Sequence, residues 1–236
     1  MSDVILSAES VTLEYQSRTG FLKQFTHKAI DDVSFQIGRG EVFGILGRNG
    51  SGKSSLLKLL AGTLTPDSGQ VVCEPSVTRS LLALGLGFNN NLSGRDNALI
   101  SCMLNGYTQK EAIPLVQQIG EFSELGQFFD QPVKTYSSGM RSRLGFASAV
   151  LAKVDILLID ETLSVGDNAF KQKAENALLK KISGDQTVIF VSHSIQQINK
   201  LCSRCLWLEK GKTITVGPTK EVMAKYLDTE QEQVKI

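Results

Sequence analysis

The sequence predicts an α/β fold around a mainly parallel sheet, and three observations predict it. Short apolar strands alternate with helix-patterned stretches after about residue 154. An apolar run, a glycine-rich turn and an apolar helix follow one another between Glu41 and Ala61. From about Asn90 to Lys153 the hydrophobic period is mostly helical, which marks an inserted block of helices.

Taken in order, Val4 to Tyr15 alternates loosely and reads as a strand. Gln16 to Lys28 is less regular, with Phe21, Leu22 and Phe25 spaced as on one side of a helical turn. Val33 to Ile37 and Glu41 to Leu46 are β-rich runs joined through Gly38-Arg39-Gly40, by a hairpin or another tight connection. Leu56, Leu59 and Leu60 pattern a helix from Lys53 to Ala61, and Gly62 sits where a C-terminal cap belongs. Thr65-Pro66-Asp67-Ser68-Gly69 is turn chemistry. Thr108 with Glu111 forms a capping box, and Pro114 predicts a kinked or shortened helix.

Beyond the helical block, Ile156 to Ile159 and Thr187 to Val191 read as strands, with helices at Phe170 to Ile182 and Ile195 to Cys202. Leu206 to Glu209 and Thr213 to Val216 flank Lys210-Gly211-Lys212 as a closing hairpin. Thr229 to Ile236 reads as a frayed polar tail.

Composition removes several classes of function. Lys and Arg total 25 against 24 Asp and Glu, with no block of like charge, which argues against a dedicated nucleic-acid binder. No apolar run approaches the roughly 18 residues of a membrane span. The start, Met-Ser-Asp-Val-Ile-Leu, has no secretory pattern. Four cysteines in 236 residues make no disulfide framework, so a reducing cytoplasm is the expected compartment.

Gly47-Arg48-Asn49-Gly50-Ser51-Gly52-Lys53-Ser54 has the spacing of a phosphate-binding loop between strand and helix. Glycines let successive backbone N–H groups curl around phosphate oxygens, and the helix that follows points its positive end at the same anion. Lys53 then reaches the outer phosphates and the Ser54 hydroxyl holds Mg2+. The apolar strand Ile156 to Ile159 ends in Asp160-Glu161, and ligands of open α/β sheets lie beyond such strand ends. Asp160 is the natural second holder of Mg2+ and Glu161 the candidate to polarise a water. His193 closes the strand that begins at Thr187, where it is either a structural residue or a hydrogen-bond donor to a γ-phosphate.

Tyr136-Ser137-Ser138-Gly139-Met140-Arg141 resembles the signature sequence of ABC-transporter ATPases. The order of motifs is similar too: Tyr15, the phosphate loop, a helical insert, the signature, the acidic strand, Ser164-Val165-Gly166-Asp167, then Ser192-His193. The chain is identified as similar to ATPase subunits that export O-antigen, capsule or teichoic acid. Leu84-Gly85-Leu86-Gly87-Phe88, Leu92-Ser93-Gly94-Arg95-Asp96-Asn97 and Glu161-Thr162-Leu163-Ser164-Val165-Gly166-Asp167 resemble that subgroup in particular.

The resemblance implies an ABC cassette: a RecA-like core with an antiparallel β subdomain over about 1–88 and 154–228, and a helical subdomain over about 89–153. Residues 229–236 would be a tail, with no C-terminal carbohydrate-binding domain. It implies ATP and Mg2+ as cofactors, held by Gly47 to Ser55, with adenine stacked on Tyr15. Ser137, Ser138 and Gly139 would address the γ-phosphate bound by a second copy, Asp167 would link the two sites, and His193 would be the switch histidine. Ser137 also precedes a helix patterned by Leu144, Ala147 and Leu151, so a plain N-cap is compatible with its position.

The signature departs from the common pattern at Tyr136, Ser138 and Met140, and Ser55 stands where many relatives have Thr. No glutamine occupies the usual Mg2+-contacting loop position, for which Asn89 is the candidate substitute.

The implied function is ATP hydrolysis powering export of a lipid-linked surface polysaccharide. O-antigen comes first and capsule next. The partners would be a second copy of the chain and a separate permease, at the cytoplasmic face of the inner membrane, with no nucleic acid. A lipid or drug exporter is the alternative within the class. A soluble ABC ATPase would resemble a double cassette or carry a long coiled coil, and a P-loop kinase or GTPase would lack the signature and Ser192-His193. Cys202-Ser203-Arg204-Cys205 has zinc or redox spacing, but one pair falls short of four ligands and reads as buried thiols. Phe21, Leu22 and Phe25, among Arg18, Lys23, His27 and Lys28, read equally as core or as an insert lying near a membrane or a permease.

Overall fold

The computed structural model describes residues 3–18, 24–82, 87–160, 167–182 and 184–234. In chain order its elements are β1 (Val4–Arg18), β2 (Gln24–Gly38), β3 (Val42–Leu46), α1 (Lys53–Leu60), β4 (Ser68–Cys73) and β5 (Arg79–Leu82). Then come α2 (Gly94–Leu104), α3 (Gln109–Ser123), α4 (Ser138–Leu151), β6 (Ile156–Ile159), α5 (Asn168–Ile182) and β7 (Thr187–Ser192). α6 (Ile195–Leu201), β8 (Arg204–Glu209), β9 (Lys212–Pro218) and α7 (Thr219–Val234) complete it. The chain divides into a unit of Met1–Val77, Leu158–Glu161 and Asp185–Ile236, and a unit of Thr78–Leu157 and Thr162–Gly184.

Two sheets build the first unit. β1 pairs antiparallel with β2 and with β4, giving the order β2-β1-β4. In the other sheet β3 lies between β7 and β8, parallel to both, and β9 closes the edge antiparallel to β8. Every residue of β7 is buried, as are Phe43 to Leu46 of β3. Strands covered on both faces need continuous apolar runs rather than alternation, and these two have them. Phe35 of β2 stacks on Phe43 of β3 with centroids 5.3 Å apart, joining the two sheets.

That arrangement decides one open sequence reading and corrects another. Gly38-Arg39-Gly40 is the tight connection and not a hairpin, because β2 and β3 belong to different sheets. Gly40, at φ 71°, turns the chain from one sheet to the other. Gln16 to Arg18 and Gln24 to Lys28 are extended, paired through Ser17↔Phe25 and Arg18↔Gln24, not helical. Cross-strand backbone bonds place Phe25, the one residue of that spacing within the described residues, in β2. Phe21 and Leu22 lie outside the described residues.

The hairpin at Lys210-Gly211 forms between β8 and β9. The segment after it is helical: α7 runs through Val234, where a polar tail was expected from Thr229. Val222, Met223 and Tyr226 bury one face of α7, and the Tyr226 ring meets Trp207 of β8 edge-on at 5.1 Å. With buried Thr219 these residues fall at helical spacing, i, i+3, i+4 and i+7, so the sequence itself carries the period of this helix. Cys202 and Cys205 are both buried free thiols, and burial pushes them up to about 12 and about 11.

In the second unit Ala98, Cys102, Ala112, Val116, Ile119, Phe129, Val133, Tyr136 and Leu144 form one buried cluster between α2, α3 and α4. The Thr108–Glu111 capping box is present, and α3 runs nine residues past Pro114 to Ser123. Pro114 and Lys110 are both exposed, so water meets the carbonyl that proline leaves without a donor. Ala112, Val116 and Ile119 hold the other side down. Among the described residues, no helix is long and apolar enough to cross a membrane.

Candidate functional site

The loop from Gly47 to Gly52 leaves the carboxyl end of β3 and opens α1. Gly47 is held tightly, since a side chain there would run into the Leu208 carbonyl and the Ser51 hydroxyl. Gly52, at φ 103°, caps α1 without a side-chain hydrogen bond, and its Cα faces the Ala29 carbonyl of β2. Gly50, at φ 80°, has open space beside it. Gly211 braces this loop: its N–H donates to the Ser51 carbonyl at 2.9 Å, and its own carbonyl accepts from Asp31 N–H at 2.8 Å. The sequence marked Gly211 as a turn residue only; nothing in its spacing signalled the contact with a loop 160 residues away.

Lys53 is 8% exposed, and its ammonium donates to the Gly47 carbonyl at 2.6 Å and the Arg48 carbonyl at 2.8 Å. Burial pulls its pKa below the usual lysine value, offset in part by Asp160 and Glu209. Ser51 Oγ is buried with no hydrogen-bond partner among the described residues. A buried hydroxyl without a partner costs about 1–3 kcal/mol, and a polar ligand in the loop removes that cost. Together with the open first turn of α1, this loop fits an oxyanion ligand.

Ser54 Oγ donates to Asp160 Oδ2 at 3.2 Å, so the first turn of α1 and the residue after β6 meet. A hydroxyl and a carboxylate side by side are hard oxygen donors, the chemistry that suits Mg2+. β3 and β7 are in register at Leu46↔Ser192, so Gly47 and His193 leave the same edge of the sheet. His193 is exposed, in a link where Ser194 N–H donates to Ser192 Oγ at 2.9 Å and Ser194 caps α6. Tyr15 is 44% exposed on β1, and its hydroxyl lies 3.3 Å from Ser55 Oγ. Arg48 and Asn49 are exposed at the loop's tip. Glu161, Ser164, Val165 and Gly166 lie outside the described residues, as do Leu84, Gly85 and Leu86.

In the second unit Ser137 caps α4, accepting the Met140 N–H at 3.2 Å. Ser137 and Ser138 are exposed, and a side chain on Gly139 would meet nothing nearer than Ser137 Oγ at 3.8 Å. Internal packing therefore does not demand glycine at 139. Tyr136 explains its own departure from leucine: it is buried, and its hydroxyl donates to the Phe128 carbonyl at 2.6 Å. Asp167 accepts the Phe170 N–H at 3.0 Å and pairs with Arg143 at 2.5 Å, and these hold its carboxyl below the ordinary aspartate value. Arg143 had no signal in the sequence reading. It also stacks over Phe170 at 4.9 Å.

Asn89 belongs to a turn organised by Asn97, which is 3% exposed. Asn97 Oδ1 accepts the Asn89 N–H at 2.8 Å, and Asn97 Nδ2 donates to the carbonyls of Asn89, Leu92 and Ser93. Asn89 Oδ1 accepts the Asn91 N–H at 3.0 Å.

A family model described as ABC transporter matches residues 30–164. Over 201 residues the chain is 45% identical to the teichoic acids export ATP-binding protein TagH of Enterococcus faecalis, covering 85% of this chain and 44% of that protein. It is 42% identical over 205 residues to the O-antigen export system ATP-binding protein RfbB of Klebsiella pneumoniae, covering 87% of this chain and 83% of that one. The chain spans 44% and 55% of the length of two teichoic-acid relatives and 76% of a third. Among solved structures, a dimeric ATP-binding cassette in a post-hydrolysis state with ADP and Pi matches with a TM-score of 0.74. That match is 20% identical and covers 91% of this chain and 98% of the other, a likeness of fold.

Proposed function

The chain belongs to the ABC transporter family, and we propose that it binds and hydrolyses ATP to drive export of a lipid-linked surface polysaccharide. The observation that carries the chemistry is the meeting of Ser54 and Asp160 at 3.2 Å beside a loop that fits an oxyanion. The substrate class follows from relatives named for teichoic acids export and O-antigen export. O-antigen is the first choice and capsule the next.

Gly47 to Ser55 hold the triphosphate, with backbone N–H groups and Lys53 against its oxygens and Tyr15 against the adenine. Lys53 is already desolvated and held by two carbonyls, so a phosphate meets a charge that needs little reorganisation. Ser54 and Asp160 would hold Mg2+, and Asn89 is proposed as the substitute for the loop glutamine. When bound, the ion supplies positive charge against the phosphate oxygens. Glu161 orients the attacking water and His193 donates to the γ-phosphate.

Two copies close head to tail, and Ser137, Ser138 and Gly139 of one cover the nucleotide of the other. The open space at Gly139 and the exposed Ser137 and Ser138 suit close approach by a second chain. Asp167, fixed by Arg143 and the start of α5, connects the two sites. A separate permease at the cytoplasmic face of the inner membrane takes up the movement.

The test is Glu161→Gln. It retains ATP binding, loses turnover, and accumulates an ATP-dependent dimer by size-exclusion chromatography. Turnover at the level of the unaltered chain overturns the assignment of Glu161.

A further inference from the structure

We propose that His27 forms a second wall of the nucleobase site beside Tyr15. The proposal rests on the nucleotide-binding reading above and deepens it.

β1 and β2 pair without a break from Glu14↔Lys28 to Arg18↔Gln24, and within that stretch Tyr15 lies directly opposite His27. Residues opposite one another in an antiparallel pair present their side chains to the same face, with Cβ atoms about 5 Å apart. The Tyr15 hydroxyl lies 3.3 Å from Ser55 Oγ, so that face looks onto the first turn of α1. The adjacent pair, Glu14 and Lys28, takes the other face: Lys28 Nζ lies 3.9 Å from Glu14 and 3.0 Å from Asp31. The alternation leaves Tyr15 and His27 as neighbouring rings on the phosphate-loop side of the ribbon.

Two further observations place this ribbon against the loop. The Ala29 carbonyl, two residues along β2 from His27, faces Gly52 so closely that a side chain there would run into it. Tyr15 and His27 are both exposed, so neither ring serves the core. Two flat rings side by side, standing off the end of a triphosphate-sized loop, offer stacking area for a purine. The imidazole adds a nitrogen donor and an acceptor at the rim for the base edge.

The experiment measures binding of MgATP and of magnesium tripolyphosphate, which has the phosphates and no base, to the full chain by calorimetry. His27→Ala, His27→Phe and Tyr15→Ala are compared with the unaltered protein. We expect His27→Ala to weaken ATP about five- to tenfold, the scale of one base–ring contact, and to leave tripolyphosphate within twofold. His27→Phe retains most of the affinity for ATP.

Equal losses for ATP and tripolyphosphate in His27→Ala overturn the proposal, since the residue then acts on the loop and not on the base. Unchanged ATP binding in His27→Ala also overturns it, and if Tyr15→Ala still discriminates the two ligands, the nucleotide reading survives alone. If neither Tyr15→Ala nor His27→Ala discriminates them, the ring-lined base site falls, and the nucleotide reading falls only if the unaltered chain fails to bind MgATP.

Discussion

Ser54 Oγ and Asp160 Oδ2 stand 3.2 Å apart although 106 residues separate them in the chain. Asp160→Asn keeps an oxygen at that place and removes the charge that a cation needs. The expected result is a rise of about 10- to 100-fold in the Mg2+ concentration for half-maximal ATP turnover, with unchanged thermal stability. An unaltered Mg2+ dependence places the cation elsewhere.

Two loop glycines separate backbone strain from crowding. Gly50 and Gly52 both have positive φ, at 80° and 103°, but only Gly52 faces a carbonyl, that of Ala29. Gly50→Ala costs about 1 kcal/mol, the left-handed penalty alone. Gly52→Ala adds a steric conflict with β2 and costs about 3 kcal/mol or more. Urea unfolding monitored at Trp207 reads both values.

Tyr136 and Gly94 are coupled through one hydroxyl. A side chain on Gly94 would strike the Tyr136 hydroxyl first, and that hydroxyl donates to the Phe128 carbonyl. Tyr136→Phe alone costs about 1 kcal/mol for the lost bond. Gly94→Ala alone costs more, because the ring must move. The double substitution is more stable than the sum of the two, since removing the hydroxyl makes room for the methyl. Additive values in denaturant unfolding contradict this packing.

Asp167 gives a pH signature with a definite sign. The Phe170 N–H first, and Arg143 beside it, hold its carboxyl below the ordinary aspartate value. Its contribution is therefore complete above the unfolded-state pKa and disappears as pH falls through the lower folded value. Asp167→Ala melts at a lower temperature than the unaltered chain at neutral pH, and the two melting curves converge in strong acid. A gap of constant size across that range contradicts the ion pair and cap.

The glycine-rich turn between β3 and α1, the carboxylate after β6 and the strand–helix alternation were legible because each is local. Glycine spacing, an apolar run and a terminal carboxylate need no partner to be recognised. The first part of β2 was not legible, because Gln24 to Lys28 owes its extended form to pairing with β1. α7 was legible only in the helical spacing of its own Val222, Met223 and Tyr226, and Tyr226 packs on Trp207 of β8. Gly211 and Arg143 each act on a segment that only the fold brings near, the Ser51 carbonyl and the Asp167 carboxylate. Asn97 acts locally, on the turn from Asn89 to Ser93, and an asparagine in a helix's first turn carries no signal of that role. The departures at Tyr136 and Met140 become intelligible once both are seen against the buried cluster of the helical unit.

The most direct test of the central claim is where the polysaccharide stands in cells whose only copy of this chain carries Lys53→Ala. Lys53, desolvated between the Gly47 and Arg48 carbonyls, is the charge on which ATP use depends in this account. The account predicts that lipid-linked polymer accumulates on the inner side of the membrane while surface polymer falls below detection. Normal surface polysaccharide in those cells would contradict it.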